Sequence, residues 1–183
     1  MRHILPLCFP VFIAAAPAFA QDCPPAPDHS ARQDAIIAQL GQAKSEGDAF
    51  AISQELWALW FDAPDARAQA FLDEGISRRS GHDFLGSRDT LDALVDYCPD
   101  YAEGYNQRAF TNFLRQDFAA ALHDLDQALA INPKHIAALS GKALTLMGLG
   151  RLDEAQDTLG AAVKLNPWLR ERALLVDVPG TDI

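Results

Sequence analysis

Apolar and small residues in the second half of the chain recur with two periods at once. Ala121, Leu125 and Ala128 stand at i, i+4 and i+7, and Ala155, Leu159 and Ala162 repeat the spacing one unit later. That spacing places side chains on one stripe of an α-helix. Another stripe of the same period, Asn106, Phe110 and Phe113, comes before the first. The stripes are separated by turn signals, Gln116-Asp117 in one unit and Gly148-Leu149-Gly150 in the next. Asp117 and Asp153 are expected to start helices, since a carboxylate there accepts from otherwise orphaned backbone N–H groups. Each unit closes on Asn-Pro, at 132–133 and 166–167. Proline lacks an N–H and forces its predecessor out of helical geometry, so the helix stops there. The pattern predicts two antiparallel helices per unit.

The longer period is 34 residues, the separation of Pro99, Pro133 and Pro167. Residues 102–135 slide onto 136–169 without gaps and align Ala109 with Ala143, Thr111 with Thr145, Ala121 with Ala155 and Leu125 with Leu159. Ala109 and Ala143 let a second helix approach closely, and Ala121 and Ala155 answer from that helix. A weaker copy spans 68–101, with Phe71, Gly75, Phe84, Leu91, Leu94 and Pro99 in register and Ser87 in place of alanine. Residues 31–67 read as a degenerate N-terminal helix pair whose Trp57 and Trp60 should bury against the following repeat or leave a patch for self-association. After Pro167, residues 170–183 read as a capping helix and tail, with Leu174, Leu175 and Val176 turned toward the array, because a terminal repeat needs a lid.

The 34-residue length together with Tyr105, Ala109, Phe118, Ala121, Ala128 and Pro133 resembles the tetratricopeptide repeat. The likeness extends, more loosely, to small exported bacterial proteins of that family. It implies an all-α superhelix, a solenoid of stacked antiparallel helix pairs, whose first helices line a concave face that receives a peptide or a partner helix. The groove expected on that face comprises Leu72, Ile76 and Arg79, then Asn106, Phe110 and Phe113, then Ser140, Leu144 and Met147. Its floor is apolar, with Asn106 and Arg79 as a polar rim. Some family members grip a C-terminal carboxylate with lysine, asparagine and arginine on successive first helices; only Asn106 matches that set here.

The N-terminal residues add a compartment. Residues 1–20 read as a signal peptide: Arg2 and His3, an apolar stretch broken by Pro6 and Pro10, then Ala18-Phe19-Ala20, with cleavage between Ala20 and Gln21. Residues 21–30 form a Pro-rich tether. The expectation is a protein exported to the periplasm with no stable membrane anchor after cleavage. A formal charge of −10 makes nucleic acid and anionic membrane poor partners. Of three cysteines, Cys8 lies in the signal, so Cys23 and Cys98 either join in one disulfide or remain two free thiols. Seven residues of extended tether reach about 23 Å, enough to bring Cys23 to the repeat edge holding Cys98.

Chemistry is sparse by comparison. His29, His82, His123 and His135 are scattered, with no pair at the helical zinc spacing, and no phosphate loop, dinucleotide fingerprint or nucleophile elbow is written. No cofactor is implied. The leading expectation is a scaffold that binds a protein or peptide; the alternatives are a self-assembling homo-oligomeric subunit and, least favoured, a small hydrolytic or metal-dependent activity from His82, His123 and Asp126.

Overall fold

The computed structural model describes residues 22–176. The signal peptide expected over residues 1–20, with its cut between Ala20 and Gln21, falls outside them, as does the tail 177–183. The described residues form eight α-helices: α1 (Ser30–Leu40), α2 (Glu46–Trp60), α3 (Ala66–Ser80), α4 (Phe84–Tyr97), α5 (Ala102–Leu114), α6 (Phe118–Ile131), α7 (Ile136–Gly148) and α8 (Leu152–Leu165). A 3-10 turn over Arg170–Leu174 follows, and no strand occurs among them.

The turns inside the hairpins α3–α4, α5–α6 and α7–α8 are built the same way. His82, Gln116 and Gly150, spaced 34 residues apart, are left-handed at φ 64, 60 and 74°. The next amide reaches back to the carbonyl five residues earlier: Asp83 to Arg78, Asp117 to Asn112 and Arg151 to Leu146, each at 2.9 Å. This is the Schellman termination, which satisfies the last carbonyls of a helix and turns the chain. The second helices then start on Asp83 and Asp117, whose side chains accept from the Gly86 and Ala120 amides. In the last repeat the cap position is Arg151, without a side-chain bond, and Asp153 lies inside the first turn instead of capping it.

Helices α3 to α8 stack in chain order as three hairpins, and the first helices α3, α5 and α7 adjoin one another in an inner layer. Small residues set the spacing. A Cβ on Gly75 would stand 2.7 Å from Leu91, so only glycine admits that leucine without a shift. Ala109, Ala121, Ala143 and Ala155 are buried in the later hairpins. Ser87 replaces alanine without leaving an orphan: its hydroxyl donates to the Gly75 carbonyl at 2.8 Å and lies 3.0 Å from Thr111 Oγ1.

The hairpin α1–α2 does not extend this stack. Ile36, Leu40, Leu56 and Trp60 form one apolar cluster with Ile136 at the start of α7, with Leu165 at the end of α8 and with Trp168 and Leu169 beyond it. Trp57 and Trp60 therefore pack toward the last repeat, not the following one as their sequence position suggests, and Trp60 is too buried to offer a patch. Polar contacts fix the seam. Trp60 Nε1 donates to Gln33 Oε1 at 2.8 Å, and the Gln33 and Asn132 amides pair with each other at 2.8 and 3.0 Å. The Trp60 ring stacks on His135 at 4.1 Å. Glu46 and Arg172 pair at 2.9 Å, and Asp34 and Lys134 at 2.8 Å.

That crossing changes the C-terminus. The segment expected as a capping helix is one short 3-10 turn, and Leu174 and Val176 are 45% and 69% exposed instead of facing the array. The apolar end of the last repeat is already covered by α1–α2, so little remains for these side chains to bury against. At the other end of the hairpin, Cys23 is disulfide-bonded to Cys98, the residue that ends α4, across a separation of 75. Cys23 and Ala26 pack on the core of α3 and α4.

Candidate functional site

The inner faces of α5 and α7 present Phe110, Phe113 and Leu144 at helical spacing, with Asn106 and Ser140 one turn earlier on each helix. Helix α2 lies across them. Between the two sides is a cleft of about 380 Å³, floored by Leu125 and Ile136 and roofed by Leu56, Trp57 and Trp60. Its far end is made by Asn166, Leu169 and Glu171. A neighbouring hollow of about 280 Å³ shares Trp57, Asn166, Leu169 and Glu171 and continues along α2 to Phe50, which is 63% exposed. The two hollows adjoin beside α2, and Phe110, 48% exposed, lines the first.

Of the nine groove residues expected from sequence, Asn106, Phe110, Phe113, Ser140 and Leu144 line this cleft. Leu72 does not: it is fully buried in the core between α3 and α4, and Ile76 packs against the same core. Helix α3 turns that stripe toward its own hairpin partner, so its register differs from those of α5 and α7. Met147 is half-buried and lies outside the lining.

The polar rim is also not free. The Arg79 guanidinium donates to the Gln107 carbonyl and side chain at 3.2 and 2.6 Å and lies 4.6 Å from the Phe110 ring centre. Burial holds the Arg79 pKa below the usual arginine range, with the Glu103 charge acting against that shift. Asn106 directs its amide to both oxygens of Glu103 at 3.2 Å, and Gln107 donates to the same carboxylate. His135 completes the set, with Nε2 at 2.7 Å from Glu103. The His135 Nδ1 accepts from the Ala138 amide at 3.3 Å, so the ring proton sits on Nε2 and is donated to Glu103. Glu103 and His135 are 2% and 1% exposed, and this network braces α5 against α7 beneath the cleft.

The residues considered for catalysis are not assembled. His82 stacks edge-on with Phe84 at 5.9 Å, His123 is exposed, and Asp126 pairs with Lys142 at 2.6 Å. Among the described residues no group of three or more His, Cys, Asp or Glu is placed to hold a metal ion. No helix among them is long and apolar enough to cross a membrane. What sequence reasoning missed is the wall formed by α2. The Trp57 and Trp60 face was visible as aromatic area, but its destination, more than seventy residues further along the chain, leaves no local signal.

Comparison with known proteins agrees with this architecture. A tetratricopeptide repeat family model matches residues 113–168. The chain is 31% identical over 122 residues to a TPR repeat-containing protein of Rhizobium etli, covering 65% of this chain and 58% of that one. It is 35% identical over 72 residues to the tetratricopeptide repeat protein 36 homolog of Nematostella vectensis, covering 39% and 40%. The chain thus spans only about half the length of these curated relatives. Among solved structures, the first TPR of Spaghetti (RPAP3) bound to the HSP90 peptide SRMEEVD superposes with a TM-score of 0.58 at 22% identity, covering 59% of this chain and 86% of that one. The TPR2B domain of yeast Sti1 in its pHsp70 complex gives 0.54 at 23% identity, covering 55% and 81%. MamA gives 0.52 at 18%, covering 80% and 79%. With three Schellman-closed hairpins at a 34-residue period and these matches, the chain carries tetratricopeptide repeats, matched by the family model over residues 113–168. Its described residues are an all-helical repeat solenoid.

Proposed function

We propose that this chain is a protein-interaction scaffold of the bacterial envelope, acting in the periplasm after loss of residues 1–20, and that it binds an apolar segment of another protein in the cleft between α2 and the α5–α7 face. The cleft carries the reading. Its walls are Leu56, Trp57, Phe110, Phe113, Leu144 and Leu169, while the polar groups beneath them are already bonded to one another. Such a surface gains by removing apolar side chains from water and has no unpaired cation to offer a carboxylate. Export is supported by the signal pattern at the N-terminus and by the Cys23–Cys98 disulfide, a bond that persists in oxidising compartments.

The partner differs in charge from the acidic peptide in the RPAP3 complex. Here Asn106 directs its amide to Glu103, no lysine or arginine lines the cleft, and the chain carries a formal charge of −10, so an acidic C-terminus meets repulsion and no cation. Selection of random peptides on the oxidised chain tests this. Aromatic or aliphatic sequences without acidic termini should be enriched, and Leu144→Glu should weaken the selected peptides at least tenfold with helicity unchanged. Enrichment of acidic C-termini, or indifference to Leu144→Glu, defeats the reading.

A further inference from the structure

The α1–α2 hairpin is joined to the rest of the molecule in three ways. Its C-terminal end runs through residues 61–65 into α3. Its N-terminal end is fixed by the Cys23–Cys98 bond, seven residues before α1 begins. Its middle rests on the apolar and polar seam with α7 and the end of α8. Through that seam α2 forms one wall of the cleft. The disulfide therefore decides whether the wall is held at both ends or at one.

We propose that the Cys23–Cys98 disulfide is a thiol-exchangeable latch that holds α1–α2 across the inner face of the repeats, and that its reduction lets the hairpin swing about residues 61–65 and widens the cleft. This rests on the proposed function only for what then enters the cleft; the latch itself is read without any partner. The two sulfurs differ in access. Cys98 is 1% exposed, whereas Cys23 lies on the partly exposed tether, so Cys23 Sγ is the sulfur open to attack. A thiolate of a dithiol reductant attacks Cys23 Sγ, forms a mixed disulfide and expels Cys98 as a thiolate, which takes up a proton. The reductant's second thiol resolves the mixed disulfide, releasing the Cys23 thiol. Two electrons and two protons pass from the dithiol to the protein, and the reductant leaves as its own disulfide. The seven tether residues are then held to α3 and α4 by side-chain contact alone.

The molecule carries its own reporter. Its three tryptophans, Trp57, Trp60 and Trp168, all sit at the seam between hairpin and array. Tryptophan emission and amide hydrogen exchange are measured on the purified chain, oxidised and dithiothreitol-reduced, and on the Cys23→Ser/Cys98→Ser variant, with far-UV circular dichroism as the control for folding. In the reduced chain and in the variant the emission should shift to the red, and amides of residues 30–60 should exchange at least tenfold faster while those of α5 and α6 change less than twofold. Equal exchange in the oxidised and reduced chains overturns the proposal. So does uniform loosening of all the helices, which marks the bond as a general staple.

Discussion

One largely buried ion pair and three left-handed turns set what single residues contribute. Arg108 reaches Asp124 through two bonds at 3.0 and 2.6 Å and Asp92 through a third at 2.8 Å. Burial works against the Arg108 cation, but the bonds and charges of Asp124, then Asp92, outweigh it and raise its pKa. Asp124 is only 3% exposed and would keep just Asn112 if the cation were removed. Arg108→Met should therefore cost about 3 kcal/mol, because a buried charge left alone costs more than the pair was worth; urea denaturation reads this directly. The turns behave in the opposite sense. Gln116 adopts φ 60° where its counterpart Gly150 adopts 74° without a Cβ to strain. Gln116→Gly should gain about 0.5 kcal/mol and Gly150→Ala lose about 1 kcal/mol, the left-handed cost set against the entropy that glycine returns to the unfolded chain. Opposite shifts in the urea midpoint check both.

Among the elements, α3 starts with a cap that titrates. Asp65 accepts from the Ala68 amide at 2.8 Å and from the Tyr97 hydroxyl at 2.7 Å, and these two bonds, in that order, hold its pKa below the usual carboxylate range. The bond to Asp65 is the leading cause that raises the Tyr97 pKa. The depressed carboxylate adds stability that is fully present above its unfolded pKa of about 3.9 and is lost as pH falls through the folded value. The raised phenol adds stability that is present below about pH 10 and is lost above it. Asp65→Asn keeps a capping oxygen but loses the charge, so it should lower the neutral plateau of unfolding free energy against pH and flatten the acid limb, with little difference left at the acid end. The helices themselves were legible in the sequence because each stripe, cap and stop lies within one turn of the residue it controls. The same holds for Phe110, Phe113 and Leu144, whose spacing alone put them on one face. Leu72 was misplaced because a stripe does not say which of two neighbours it faces. Helix α2 was misplaced because Trp60 finds its stacking partner in His135, and no local pattern links the two.

At the scale of the molecule, a repeat array is nearly one-dimensional, so its ends fray independently and each unit reports only on its neighbours. The hairpin α1–α2 removes that independence by joining the N-terminal segment to the C-terminal end of the array, through Gln33 to Asn132 and Asp34 to Lys134 in the α6–α7 turn and Glu46 to Arg172 beyond α8. The Cys23–Cys98 link works in the same direction. It ties the segment before α1 to the end of α4 across a separation of 75 residues. A closed array should unfold as one unit, and damage at the seam should therefore spread. Trp60 links several elements there: it stacks on His135, donates to Gln33 and offers its carbonyl to the Tyr101 hydroxyl at 2.6 Å. Trp60→Ala should cost about 3–5 kcal/mol, the range for deleting a large core aromatic. The diagnostic readout is location: amide protection should fall in α8, about a hundred residues further along the chain, as much as in α1, whereas α4 should keep its own. If protection falls only in α1 and α2, the array is open after all, and the cleft has a wall that merely leans against it.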